Sequence, residues 1–174
     1  MRDSVVKDFV SRKWPDPGRA RARWMFTNET GQQFPDDLVI LNVALGLEHE
    51  AIAAYQTGAK SGLLSGSALD MAVSFLRDHE RHRDTIDGFL RRFGGSPVLP
   101  RKDYDFGTIS TAGNILALAH RLEQGAADAY LANAAKLQSA EILDAAAGIL
   151  VDEVRHATAF KLALSLPVTD RPKY

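Results

Sequence analysis

Apolar residues recur at alternating spacings of three and four positions in four separate stretches of the chain. This is the periodicity of a helix that buries one face, and no stretch contains an internal proline. Breaks rich in Gly and Pro, and one polar junction, separate them at residues 31–37, 62–67, 93–107 and near Gln138. The pattern predicts helices near residues 36–60, 66–93, 108–136 and 139–166. Two short connections around one long one predict an all-α, antiparallel four-helix bundle with a single long crossover.

The two halves of the predicted bundle repeat each other in sequence. A shift of 75 residues lays LEHEAIAAY (47–55) on LEQGAADAY (122–130), and a shift of 74 lays RDHERHRDTI (77–86) on VDEVRHATAF (151–160). The coinciding pairs are Leu47 with Leu122, Glu48 with Glu123, Ala51 with Ala126, Tyr55 with Tyr130, Asp78 with Asp152, and His82 with His156. Both registers together indicate two helix pairs related by a pseudo-two-fold axis.

Ionisable residues interrupt the apolar faces near the middle of each helix. There are six of them: Glu48, His79, His82, Glu123, Glu153 and His156. Any one alone is compatible with a hydrogen-bonded core residue, but a buried ionisable group is costly unless it is paired or binds metal. One glutamate on each of two helices, with an i,i+3 pair on each of the other two, would converge at one depth. That is the ligand arrangement of a dinuclear carboxylate site.

Across residues 36–166 the pattern resembles the ferritin-like proteins of the rubrerythrin and bacterial ferritin-like domain group. Their four helices carry, in order, Glu, Glu-x-x-His, Glu and Glu-x-x-His. Glu48 and Glu123 match the first and third terms, and the DEVRH stretch, with Glu153 and His156, matches the fourth. The resemblance implies that these residues ligate iron, as two ions or one, with manganese or zinc as alternatives. Glu48 and Glu123 would be terminal ligands, and Glu153 would bridge the metals.

The second term departs from the family pattern. His82 matches the family histidine, but His79 stands where the family has a bridging glutamate. Glu80 lies about 100° further round the helix and would reach the site only through a π-bulge. With His79 as the sixth ligand, one metal ion, an unequal pair and an empty site are all open. The other half of the site, which holds Glu123, Glu153 and His156, keeps the pattern and is expected to hold metal better.

Several neighbours of these residues are candidates for supporting roles. Asp78 and Asp152 each precede a histidine by four positions. They are either solvated acids or acceptors for the free N–H of a ligand histidine on the facing helix. Tyr55 and Tyr130 are expected to be core tyrosines with hydrogen-bonded hydroxyls, and the alternative is that either is a redox-active neighbour of the site. His120 shares a face with Glu123 and is either an extra ligand or a hydrogen-bond partner.

The resemblance implies a redox or oxidative-stress function with dioxygen or peroxide as substrate. A di-metal oxidoreductase such as a ferroxidase or peroxidase is one outcome, and the residues do not choose between these activities. The alternative is a bundle with a degenerate or empty metal site that acts as a structural or binding module. His79 is the residue that favours this alternative. A homodimer or higher homo-oligomer is expected in either case.

Composition limits the setting of such a bundle. The chain has 174 residues, a net charge of −1 and no cysteine, so thiolate ligands are excluded. No uninterrupted run of 18 apolar residues and no signal-peptide pattern is present, so a cytoplasmic protein without membrane contact is expected. We divide the chain into an N-terminal arm (1–34), the bundle (35–168) and a C-terminal tail (169–174). The arm is basic, but it carries no base-stacking pattern, and nucleic-acid binding is not expected.

Overall fold

The computed structural model describes residues 34–168, and these residues form four α-helices without a strand. In chain order they are α1 (Pro35–Lys60), α2 (Gly66–Arg92), α3 (Ala112–Ala134) and α4 (Ala140–Ala163). The predicted all-α four-helix bundle is confirmed. Helices α1 and α2 form one closely packed pair and α3 and α4 the other, and the pairs meet along α1–α3 and α2–α4. The predicted tail (169–174), and all of the predicted arm except Phe34, lie outside the described residues.

Capping residues set the ends of the helices close to the predicted positions. Helix α3 begins at Ala112 rather than near residue 108, because Thr111 is extended and its hydroxyl accepts from Asn114 N at 3.1 Å. Ser139 caps α4 in the same way, accepting from Ile142 N at 3.4 Å. Helix α4 ends at Ala163, before the predicted residue 166, because Ser165 turns the backbone to a φ of 56°.

Two apolar clusters fill the two ends of the bundle. Leu45 of α1, Leu90 of α2 and Ile142 of α4 belong to the first cluster. Tyr55, next to Phe160, belongs to the second. On α1, α2 and α4 the helix passes from one cluster to the other through its ionisable residues, so these residues form a polar layer at mid-bundle.

Asp37 fastens the start of α1 to the turn between α3 and α4. Its carboxylate is fully buried and accepts from the backbone N–H groups of Gln138 at 2.9 Å and Ser139 at 2.8 Å. Burial outweighs these two hydrogen bonds and raises the pKa of Asp37. No periodicity argument identified this residue, because its role depends on a turn that is distant in sequence.

Helix α1 is also long and apolar enough, by length and composition alone, to cross a membrane. In the bundle it is a core helix that buries Leu38, Leu41 and Leu45. Burial in a helical bundle and burial in lipid select the same apolar composition. The packing of α1 against α2 and α3 accounts for its composition, and the absence of membrane contact stays a prediction.

Candidate metal centre

The six ionisable residues predicted from the apolar faces converge in one cluster, and none is more than 3% exposed. They come from all four helices: Glu48 from α1, His79 and His82 from α2, Glu123 from α3, and Glu153 and His156 from α4. Helix α2 is α-helical from Gly66 to Arg92, without a π-bulge. His79, and not Glu80, therefore occupies the second position of the family pattern.

His79 spans the cluster from α1 to α3. Its Nδ1 lies 2.8 Å from Glu48 Oε2, and its Nε2 lies 3.0 Å from Glu123 Oε1. Burial disfavours the imidazolium, yet the hydrogen bonds to Glu123 and Glu48 outweigh it and raise the pKa of His79 well above its ordinary range. Both ring nitrogens can donate only in the imidazolium form. The geometry therefore describes a cation held between two carboxylates.

Glu48 and Glu123 are the complementary anions. Burial alone would raise the pKa of each, but hydrogen bonds from the histidines reverse the effect. For Glu123 these come from His156 and His79. For Glu48 the hydrogen bond comes from His79, and the charge of His82, whose Nδ1 lies 3.7 Å from Glu48 Oε2, adds to the effect. The pKa of both carboxyls is lowered, so both are ionised at neutral pH.

Glu153 has the opposite environment. Neither carboxyl oxygen has a hydrogen-bond partner among residues 34–168, and the side chain is fully buried. Oε1 lies 3.2 Å from His82 Nδ1 and 3.8 Å from His79 Nδ1, but the groups are not aligned for a hydrogen bond. Burial, followed by the nearby charges of Glu48 and Glu123, raises the pKa of Glu153 well above its ordinary value. An unsatisfied buried carboxyl group requires an explanation, and a role as a cation ligand is one.

The outer nitrogens of two histidines contact aspartates on the facing helix. His82 Nε2 lies 3.2 Å from Asp152 Oδ2, and His156 Nε2 lies 3.1 Å from Asp78 Oδ2. This confirms the acceptor role of the aspartates. The contact fixes the orientation of each ring and directs Nδ1 into the cluster, as partners of metal-binding histidines do.

Arginines one turn further along hold these aspartates. Arg81 Nη2 lies 2.6 Å from Asp78 Oδ1, and Arg155 pairs with Asp152 in the same i,i+3 relation. The pKa of Asp78 falls, because the contacts with Arg81 and His156 outweigh its partial burial. The pseudo-two-fold repeat therefore extends from the cluster to the bundle surface.

Two tyrosines donate hydrogen bonds to Glu48 and Glu123. Tyr130 donates to Glu48 Oε1 at 3.0 Å, and Tyr55 donates to Glu123 Oε1. The predicted hydrogen-bonded core tyrosines are confirmed. Burial and the adjacent negative charge raise the pKa of both hydroxyls well above their ordinary value, so both stay neutral donors. Each glutamate is thus oriented by a tyrosine from the other half of the repeat.

His120 takes neither of the roles predicted for it. Its Nε2 is buried without a hydrogen-bond partner among the described residues, and it belongs to neither group of converging ligand atoms. Burial, aided by the positive charges of Lys161 and Arg121, lowers its pKa. A neutral histidine beside the cluster therefore adds no ligand to it.

The inward-facing atoms form two overlapping groups of four, each with its ligand atoms within 4.8 Å of one another. One group is Glu48, His79, His82 and Glu153, and the other is His79, Glu123, Glu153 and His156. His79 and Glu153 are common to both. Two carboxylates and two imidazoles suit iron, manganese or zinc. The unpaired atoms, His82 Nδ1 and both Glu153 oxygens, are positioned for a cation, so the residues fit a metal ion.

The fold and the cluster define a helical bundle with a buried carboxylate–histidine site, and comparison with known proteins agrees. The ferritin-like domain family matches residues 36–166, so the chain belongs to that family, which confirms the resemblance seen in the sequence. A conserved hypothetical protein from Mycobacterium tuberculosis has a similar crystal structure, with a TM-score of 0.69 at 24% identity. The match covers 79% of this chain and 96% of that one, and it supports the fold alone. No curated protein matches the chain.

Proposed function

We propose that this ferritin-like domain binds iron, or manganese in its place, in the buried cluster and serves a redox or oxidative-stress function. The observation that carries the proposal is Glu153. Its two unpaired oxygens lie close to three histidines and two other carboxylates in a buried site. A protein gains nothing in stability from such a group alone. A bound cation would pair with the Glu153 carboxylate and account for its burial.

Some residues of the cluster would ligate the metal, and others would orient these ligands. Glu48 and Glu123 are the terminal carboxylate ligands, and Tyr130 and Tyr55 orient them. His82 and His156 offer Nδ1, while Asp152 and Asp78 hold their other nitrogens. Glu153 reaches both positions. A bound redox metal would supply electron exchange with dioxygen or peroxide, the substrates proposed here.

His79 limits how much metal the cluster holds. In the structure its two nitrogens bind Glu48 and Glu123, the carboxylates that a metal would need. Metal binding must therefore remove a proton from His79 and break these hydrogen bonds. A neutral imidazole then offers one lone pair, to one ion. We propose one tightly held ion per chain, with a weaker second position.

The second candidate function is a structural or binding module, and the same residue favours it. The two hydrogen bonds of His79 close the centre of the cluster without a metal, at distances of 2.8 Å and 3.0 Å. In this reading the imidazolium takes the place of the cation. The module reading leaves the unpaired oxygens of Glu153 without a partner, which is why the metalloprotein is preferred.

Elemental analysis of protein purified without added metal or chelator tests the choice. We expect iron or manganese at about one ion per chain, and removal by a chelator should lower the melting temperature, because a ligand that binds only the folded state stabilises it. Glu80→Gln is the matched control, since Glu80 is next to His79 in sequence but outside the cluster. If the protein stays metal-free after anaerobic incubation with Fe²⁺ and Mn²⁺, the module reading replaces this proposal.

The oligomeric state and the location of the protein are also proposals. We propose a homodimer or higher homo-oligomer in the cytoplasm, as expected from the sequence, and no contact with membrane or nucleic acid. Light scattering of the purified chain would show the oligomer. A monomer at micromolar concentration would remove that part of the proposal and leave the metal centre unaffected.

A further inference from the structure

A small cavity reaches the cluster between α1 and α3. Its volume is about 20 Å³, and Glu48 and His79 form its floor. Glu50, a half-buried residue two positions after Glu48 in the sequence, also lines it. Glu48 and His79 are at most 2% exposed, so they are otherwise shielded from solvent. The cavity is a space between the two helices that extends to the edge of the cluster.

The walls of this cavity are pairs of residues related by the internal repeat. Leu47 and Ala51 come from α1, and Leu122 and Ala126 are their counterparts on α3. The alanines provide the space, because a longer side chain at either position would fill it. Both leucines and Ala126 are half-buried, so the walls extend to the bundle surface.

The size of the cavity restricts what passes through it. A single water needs about 10–15 Å³ of such space, so 20 Å³ admits a water or another molecule of that size. A hydrated divalent cation is larger. Its entry requires that it sheds water and that Leu47 and Leu122 change rotamer. Partly exposed side chains make such a change on the picosecond to nanosecond scale. Carboxylates at Glu50 and Glu48 offer oxygen ligands during that passage.

We propose that this cavity, walled by Leu47, Ala51, Leu122 and Ala126, is the entry path of metal ions and small neutral molecules to the cluster. The two leucines set its width. For metal ions the inference rests on the proposed function, whereas the path for small molecules does not depend on it. The path predicts that substitutions at its walls change the rate of entry without changing the ligands or the equilibrium stoichiometry.

Stopped-flow uptake of Co²⁺, which does not require oxidation and has a visible absorption band, measures the rate for metal. Ala126→Leu should slow uptake about 10-fold or more, and Leu122→Ala should speed it several-fold, with the final Co²⁺-to-protein ratio unchanged. Ala145→Leu is the control, because this half-buried alanine of α4 is not part of the cavity. Uptake by folded Ala126→Leu at the wild-type rate would overturn the proposal.

A second measurement decides the path even if no metal binds. The chain has no cysteine, so His79→Cys places a unique thiol at the floor of the cavity, and a small neutral methanethiosulfonate can report access to it. Ala126→Leu should slow modification of this thiol about 10-fold, and Ala145→Leu should not. Equal rates would overturn the path. If His79→Cys fails to fold, Ala51→Cys, on the wall, replaces it with the same expected outcomes. Wild-type protein that binds none of Co²⁺, Fe²⁺ and Mn²⁺ at equilibrium would refute the metal function and leave the thiol rates to decide the path.

Discussion

The two halves of the candidate metal centre have equivalent outer contacts and differ in their inner ones. In the first half, Glu48 and His82 are held by Tyr130 and Asp152. In the second half, residues related by the repeat hold Glu123 and His156 in the same way. The inner nitrogen of His82 has no hydrogen bond, whereas His156 Nδ1 lies 3.2 Å from Glu123 Oε2. The histidine of the second half is therefore already paired with its glutamate without a metal, and the histidine of the first half is not.

This difference determines where a first ion should bind. The sequence favoured the second half because it keeps Glu153 of the family pattern. The structure places Glu153 and His79 within reach of both halves, so the two ligand sets have the same composition. What separates them is the cost of breaking existing hydrogen bonds. A metal in the first half uses the unpaired His82 Nδ1, and one in the second half must first separate His156 from Glu123.

His156, in the second half, also packs against an aromatic ring. The ring of Phe75 stacks on His156, with ring centroids 3.8 Å apart and an interplanar angle of 26°. His156 is therefore fixed by Asp78, Glu123 and an aromatic ring. A well-packed ring adjusts poorly to the position that a metal requires. We infer that the halves are unequal sites in spite of their repeated sequence.

Glu153→Gln should have the largest effect, because it changes the ligand that both halves share. We expect metal affinity to fall at least about 100-fold, since even the outer partners of metal ligands are worth about 10–100-fold. The metal-free protein should not lose stability at neutral pH, because an amide resembles the protonated Glu153 that burial favours. Metal titration and thermal melting of the chelated protein measure the two effects.

The control for this prediction is Glu80→Gln, which removes one carboxylate from the same layer of the bundle but from outside the cluster. It should bind metal as wild type does. If Glu153→Gln retained full affinity while Glu80→Gln lost it, the pattern position on α2 would have to be reassigned to Glu80, in spite of the regular helix seen in the structure.

A direct comparison of the halves comes from His82→Ala and His156→Ala. Both should lower the metal-to-protein ratio. His82→Ala should weaken binding of the first ion about 10–100-fold, and His156→Ala should weaken it less, because the first ion occupies the other half. Isothermal titration with Mn²⁺ under anaerobic conditions gives both affinities. The reverse order would show that the half with the stacked histidine binds first.

The sequence predicted the helices, the six cluster residues and the repeat, because each depends on periodicity along the chain. It also identified Asp78 and Asp152 as candidate acceptors, since the repeat gave them equivalent positions. It did not identify Asp37, whose partners are backbone groups about a hundred residues away. The paired and unpaired states of His156 and His82 were equally out of reach. They depend on distances of a few tenths of an ångström between helices.

His79→Glu should make the bridge of the two halves symmetrical. The substitution restores the fourth carboxylate and adds one negative charge where the dielectric is low, so attraction for a second divalent ion increases. We expect the metal-to-protein ratio to rise from about one to about two ions per chain. The metal-free variant should melt at a lower temperature, because the cation between Glu48 and Glu123 is lost and four buried carboxyls repel one another.

Elemental analysis and melting of His79→Glu measure these changes, with His79→Gln as the control. His79→Gln also loses the cation but adds no charge, so its metal ratio should not rise. A wild type that already holds two tight ions, unchanged in His79→Glu, would show that His79 does not stand in for a bridging carboxylate.

The smallest effect concerns the pH dependence of the metal-free protein, where His79 and Glu153 act in the same direction. The pKa of His79 is raised from its ordinary value of 6.5, so the stability it contributes is fully present below pH 6.5 and fades as the pH rises through the folded-state value. The pKa of Glu153 is raised from 4.5, and its contribution to stability is likewise lost with rising pH.

Glu48 and Glu123 have lowered pKa values, so their contributions to stability are lost only as the pH falls below 4.5. The chelated protein should therefore melt highest near pH 4.5, decline above it as Glu153 loses its proton, and lose a few degrees more above pH 6.5 as His79 and His82 lose theirs, since about 1 kcal/mol shifts the melting temperature of a domain of this size by about 2–4 °C. Metal binding requires the deprotonated ligands, so stabilisation by metal should grow over the same range.

Differential scanning calorimetry at pH 5, 6.5 and 8, with and without Mn²⁺, measures both trends. In Glu153→Gln the decline should be shallower, because Glu153 no longer titrates and only His79 and His82, whose pKa is also raised, remain. An unchanged decline would show that Glu153 does not share in it.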